Sequence, residues 1–135
     1  MVKKAVYMAN TKTNPVDIQF GKFSWPITAI ASITHRISAV IIWIGLGILL
    51  AGIYYASQSP EAFDEIAQLI TENFMGQFVV WGLLTAFGYY CMGTLKHLIQ
   101  DMGYCEDFSS GKIISWLAIS LGILLSILAG IYVWV

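Results

Sequence analysis

Apolar positions fill three long stretches of the chain, and polar positions gather between them. Residues 37–56, 74–95 and 113–135 carry no formal charge. A bilayer core about 30 Å thick takes roughly twenty helical residues to cross, so each stretch predicts one spanning helix. Trp25-Pro26 punctuates the entry to the first. Proline is tolerated in a first helical turn, where its missing N–H would be unpaired anyway, and tryptophan is enriched at membrane interfaces. The predicted helices cover about 27–55, 74–100 and 112–135. They make an all-α membrane protein with a three-helix membrane domain over 25–135, preceded by a polar segment, 1–24, in which Asn14-Pro15 reads as a turn.

The pattern between the first two spans differs. Gln58-Ser59-Pro60-Glu61 has the form of a helix start, with Ser59 as N-cap and Pro60 at the first helical position. Phe63, Ile66, Leu69 and Ile70 then fall on one side, with Asp64, Glu65 and Glu72 elsewhere. That spacing predicts a short amphipathic helix lying on the membrane surface. In the third span, Ala118, Gly122, Ser126 and Gly130 recur every four residues, a small-residue strip along which another helix can approach closely.

Composition agrees with a membrane protein: 58% of residues are hydrophobic and 11% charged, where a soluble domain carries about a quarter charged. The net charge of -1, with no basic patch, gives no reason to expect nucleic acid. Cys91 lies in an apolar run and Cys105 in a polar loop, without metal spacing, so no structural disulfide is expected. The first twenty residues lack the apolar core of a signal peptide, and Asp17 interrupts the acid-poor character of a transit peptide. Insertion without cleavage, into a bacterial inner membrane, is the expectation. Lys and Arg occur in the N-terminal segment, at Arg36, and around the second loop at Lys96 and Lys112, with none between the first two spans. The positive-inside rule therefore puts the N-terminus and second loop in the cytoplasm. Arg36 and His97 then share a leaflet.

Candidate chemistry begins at Ser32-Ile-Thr-His35-Arg36, where the first span meets its headgroup boundary. Ionisable groups are costly there and are functional candidates by default. Ser32 lies four residues before Arg36 and three before His35, so hydroxyl, imidazole and guanidinium share one side of the helix. A hydroxyl donor and a fixed cation suit a carbonyl whose oxygen becomes negative on reduction, and they suit a haem propionate equally. The plainer reading is an arginine that snorkels to lipid phosphate and counts only toward orientation. His97 and Asp101 form an i, i+4 pair in which the carboxylate can orient the imidazole; alternatively, His97 favours the helix C-terminus as a cation. Tyr89 and Tyr90, roughly 10 Å deeper, read as packing residues.

The stretch from Phe23-Ser-Trp-Pro through Ser32-Ile-Thr-His-Arg-Ile-Ser38, with Leu95-Lys-His-Leu-Ile-Gln-Asp-Met-Gly-Tyr104, resembles the cytochrome b membrane-anchor subunit of bacterial succinate dehydrogenase. The resemblance implies a non-catalytic subunit of an oxidoreductase, respiratory complex II. With a second hydrophobic anchor subunit, such a chain holds the iron–sulfur subunit and the flavoprotein subunit to the cytoplasmic face. Electrons from succinate pass through flavin and iron–sulfur centres to ubiquinone, bound where the anchors meet the iron–sulfur subunit. Carried over by position, Ser32 hydrogen-bonds the quinone, Arg36 lines its pocket, and His35 lies near the propionates of haem b, together with Arg36.

One position departs from the family. Its haem-ligating histidine stands seven residues before the histidine of the second motif, where this chain has Tyr90. Tyr90, at the axial-ligand position, and His97 share a helix face about 10 Å apart. Three outcomes stay open: ligation of the iron by tyrosine, known in other haem proteins; a haem held by the partner subunit's histidine and another group; or no haem. Lys96 replaces the arginine usual in the second motif, keeping charge but losing the planar fork. Two rivals remain. The anchor of a fumarate reductase would run the same path in reverse with menaquinone. A small transporter or channel subunit would use His35, Arg36 and His97 as an ion path, and with three helices it would have to oligomerise.

Overall fold

A computed structural model of the protein describes residues 25–135; the N-terminal segment and its expected turn at Asn14-Pro15 lie outside the described residues. Four helices follow one another: α1, Ile27–Ala56; α2, Pro60–Thr71; α3, Phe74–Asp101; and α4, Phe108–Trp134. No strand occurs among the described residues. α1, α3 and α4, of 30, 28 and 27 residues, are each long and apolar enough to cross a membrane.

Local signals place most of the boundaries. Pro26 is the N-cap of α1, one position before the expected first turn, with extended backbone. Its carbonyl accepts from the N–H groups of Ala29 and Ile30 at 2.9 and 3.1 Å. Ser59 caps α2, its hydroxyl oxygen accepting from Ala62 N–H at 3.1 Å, with Pro60 next. Asn73 caps α3 by accepting from Met75 and Gly76. The α2–α3 corner is tight because Gly76 sits directly against the backbone carbonyl of Leu69, where a side chain would collide. Tyr55 donates to Glu65 at 2.8 Å, fastening α2 back onto the end of α1. At the other end α3 stops at Gly103, whose φ of +83° is the left-handed conformation glycine adopts freely. Tyr104 N–H reaches back to Ile99 there, and Gly103 N–H to Gln100.

α4 begins four residues earlier than the sequence pattern predicts, at Phe108 instead of Lys112. Phe108-Ser-Ser-Gly111 looks like loop by composition. Tertiary packing overrides that preference: Gly111 is buried at the turn from α3, close to Gln100 and the Cys105 carbonyl. Its N–H bonds to Asp107 O at 2.7 Å, closing the first turn.

The small-residue strip of α4 is used within the chain. Tyr89 of α3 packs directly on Gly122, Thr85 shares a hydroxyl–hydroxyl hydrogen bond of 2.9 Å with Ser126, and Trp81 Nε1 donates to the Ser126 carbonyl at 3.0 Å. Trp81 also lies beside Gly130. These pairs set one antiparallel register along the whole seam. α1 joins α3 in the same manner, with Gly45 against Leu83 and Gly93 against the His35 ring. In lipid, close approach of this kind and interhelical hydrogen bonds carry the association. Gly122→Leu is therefore expected to displace the Tyr89 ring and destabilise the bundle by about 1–3 kcal/mol. The check is the thermal unfolding midpoint of the assembled complex in detergent; an unchanged midpoint would mean that the ring has other room.

Candidate functional site

The packed face of α1 is marked by its buried residues Ala31, Ser38 and Gly45, seven apart. At about 100° per residue, Ser32 and Arg36 point well away from that face. Ser32 is half-buried and Arg36 exposed, and neither forms a hydrogen bond or ion pair among the described residues. They stand one turn apart on the outward side of α1.

His35 does not join them. Its imidazole turns inward over α3, stacking on Tyr90 with ring centroids 4.7 Å apart and planes within 8°. Its Nε2 lies 3.2 Å from Thr94 Oγ1, and the His97 ring meets it at 5.3 Å, tilted by 57°. Gly93 makes this possible, since a β-carbon there would strike the imidazole. The expected trio of hydroxyl, imidazole and guanidinium is thus divided between an outward pair and an inward ring. Residues 32, 35 and 36 are near in sequence, yet the close packing of α1 on α3 at Gly93 decides which way the ring turns.

His97 and Asp101 share α3, but no hydrogen bond or ion pair joins them among the described residues. Asp101 is the exposed last residue of the helix, while the His97 ring lies against His35. Tyr89 proves to be more than filling: its hydroxyl donates to the Ala31 carbonyl at 3.2 Å and lies 2.6 Å from Thr34 Oγ1. Thr34, Gly93 and Thr94 were not singled out in sequence. A glycine or threonine within an apolar helix carries no signal of its own until the facing helix is known.

Haem b, which the family resemblance implies, finds no suitable donor set among the described residues. One face of Tyr90 is covered by His35, and the rings of His35 and His97 meet each other. These three residues do not line the apolar cleft between α1, α3 and α4, and that cleft contains no His, Cys or Met among its lining residues. No group of three or more His, Cys, Asp or Glu residues converges among the described residues. As folded, the residues present do not fit an iron porphyrin ligated from this chain. Cys91 and Cys105 are both free thiols.

The family profile described as "Succinate dehydrogenase/Fumarate reductase transmembrane subunit" matches residues 10–129. The chain is 29% identical over 120 residues to the "Succinate dehydrogenase cytochrome b556 subunit" of Coxiella burnetii, covering 89% of this chain and 96% of that protein. It is 25% identical over 119 residues to the protein of the same description from Paracoccus denitrificans, covering 88% and 91%.

Proposed function

Because this chain belongs to the succinate dehydrogenase/fumarate reductase transmembrane subunit family, as a multi-pass protein of the bacterial inner membrane, we propose that it forms one wall of a ubiquinone site and anchors the electron-delivering subunits beside it. The observation that carries this reading is the outward pair, Ser32 and Arg36, side by side at one end of α1 and unpartnered within the described chain. A polar hydroxyl and a guanidinium at the edge of a membrane span call for a partner from outside.

A quinone carbonyl meets that demand. Reduction of ubiquinone to ubiquinol takes two electrons and two protons, and negative charge develops on the carbonyl oxygens before the protons arrive. The Ser32 hydroxyl donates a hydrogen bond to one oxygen and orients the ring. The Arg36 guanidinium stays charged at any physiological pH and stabilises the oxygen as charge builds. This chain breaks no substrate bond itself; electrons reach the site from succinate through the flavin and iron–sulfur centres of the partner subunits. A second hydrophobic anchor closes the pocket from the other side. The N-terminus and the α3–α4 loop face the cytoplasm, and α2 lies on the opposite surface with Phe63, Leu69 and Ile70 toward lipid.

The chain, tagged and drawn from native membranes in mild detergent, is expected to bring down a flavoprotein, an iron–sulfur protein and a second small membrane subunit, and the assembly should reduce a short-chain ubiquinone with succinate. Recovery of a flavin-free homo-oligomer would overturn the assignment in favour of a transport protein.

A further inference from the structure

The cleft between α1, α3 and α4 has a volume of about 460 Å³ and a wall that is aliphatic apart from a few hydroxyls. Those hydroxyls are occupied within the protein. Ser38 donates to the Thr34 carbonyl at 2.9 Å, Thr85 and Ser126 bond to each other, and the Tyr89 hydroxyl bonds to Thr34 and Ala31. The wall therefore offers a guest almost nothing but hydrocarbon, and all three helices that build it are candidate membrane spans.

Two cations stand in line with one end of this cleft. On α3 its lining runs up to Tyr89, and on α4 it begins at Ile119. Seven residues beyond Tyr89 is Lys96, and seven before Ile119 is Lys112. Seven residues are two helical turns, about 10 Å, so both lysines continue the lining faces. The helices are antiparallel, so both lie toward the same end. The register that pairs Tyr89 with Gly122 and Gln100 with Gly111 sets Lys96 opposite Ser115, which is fully buried with its hydroxyl bonded to Gly111 O.

Lys96 is only 5% exposed, yet its ammonium makes no hydrogen bond or ion pair among the described residues, and its nitrogen is not sealed from the surface. Burying most of a lysine without a counter-charge is costly, and the cost falls when an anion arrives from outside. Lys112 also lacks a carboxylate partner among the described residues; its ammonium lies 4.3 Å from the centroid of the Phe108 ring. A hydrocarbon slot inside the membrane, with two uncompensated ammonium groups about 10 Å beyond its end, matches an amphiphile with an anionic head.

We propose that the cleft seats an acyl chain of an anionic phospholipid whose phosphate is held by Lys96 and Lys112. The slot lies on the side of α1 that carries Ile30, Thr34, Ile37 and Ile41, across the helix from Ser32 and Arg36. The slot is therefore separate from the face that carries Ser32 and Arg36. Gly82 offers a separate handle on the slot. It lines the cleft and a β-carbon there meets nothing within 4 Å, so a larger side chain enters the slot without disturbing the seam.

The test is native mass spectrometry of the whole complex in detergent after addition of dioleoyl phosphatidylglycerol or dioleoyl phosphatidylcholine. Wild-type complex is expected to retain phosphatidylglycerol in preference to phosphatidylcholine. Lys96→Gln and Lys112→Gln should each lower phosphatidylglycerol occupancy about fivefold, and Lys96→Arg should keep it. Gly82→Leu should reduce retention with both lysines intact. Equal retention of the two lipids, or occupancy unchanged by Lys96→Gln and Lys112→Gln, would overturn the proposal. So would normal lipid retention in Gly82→Leu, or release from that variant of a companion polypeptide with the lipid count unaltered, which would make the cleft a seat for a partner's helix. Lys112 is exposed at the start of α4, so its variant reads out the headgroup even if Lys96→Gln hinders assembly.

Discussion

Arg36→Leu is expected to slow electron transfer from succinate to a short-chain ubiquinone by about a hundredfold, the order of loss seen when one donor to a developing negative oxygen is removed. Succinate oxidation by a soluble dye, which takes electrons before they reach the membrane, should stay within about twofold of wild type on the same argument. The contrast follows from where Arg36 stands. It is exposed on the outer side of α1 and makes no hydrogen bond or ion pair among the described residues, so its loss should remove charge from the proposed site and leave the packed faces at Ala31, Ser38 and Gly45 intact. Arg36→Lys should recover part of the rate, because a point charge replaces the charge of the guanidinium but not its fork of donors. Membrane-bound flavin measured alongside guards the interpretation. A parallel fall of both activities with loss of bound flavin would move Arg36 from quinone chemistry to assembly.

The spans were legible because membrane insertion leaves little freedom: charge-free runs of about twenty residues must be helices there. Ser59-Pro60 gave the start of α2 to the residue, since a cap followed by proline has one local solution. Phe108 to Gly111 misled because their loop-forming preference is weak beside the packing of Gly111 at the α3 turn. At the candidate site, sequence spacing placed Ser32 and Arg36 together, and they are neighbours on one outward face. It failed for His35, whose direction depends on a glycine 58 positions later. The burial of Lys96 was likewise invisible: a lysine near the end of a span reads as a snorkelling surface residue until the register with Ser115 is known.

Haem provides the other large expected effect. A dithionite-reduced spectrum of the purified complex should lack the ordinary signal of a haem b ligated by two histidines, while succinate still reduces ubiquinone. Tyr90 stands where the resemblance implies a histidine ligand. Its ring is stacked on His35, whose own Nε2 lies at Thr94 and whose ring also meets His97. None of these side chains opens onto the apolar cleft, and the cleft has no His, Cys or Met in its lining. Tyr90→Phe separates the alternatives: it keeps the stack and removes only the phenolic oxygen. If the tyrosine is a packing residue, the variant should match wild type in spectrum and in quinone reduction. A tyrosinate-ligated iron, as in haem proteins of other folds, would instead lose or shift its absorption in Tyr90→Phe. A normal two-histidine spectrum in wild type would show that the His35–Tyr90 stack opens on assembly, and the misfit inferred from it would fall.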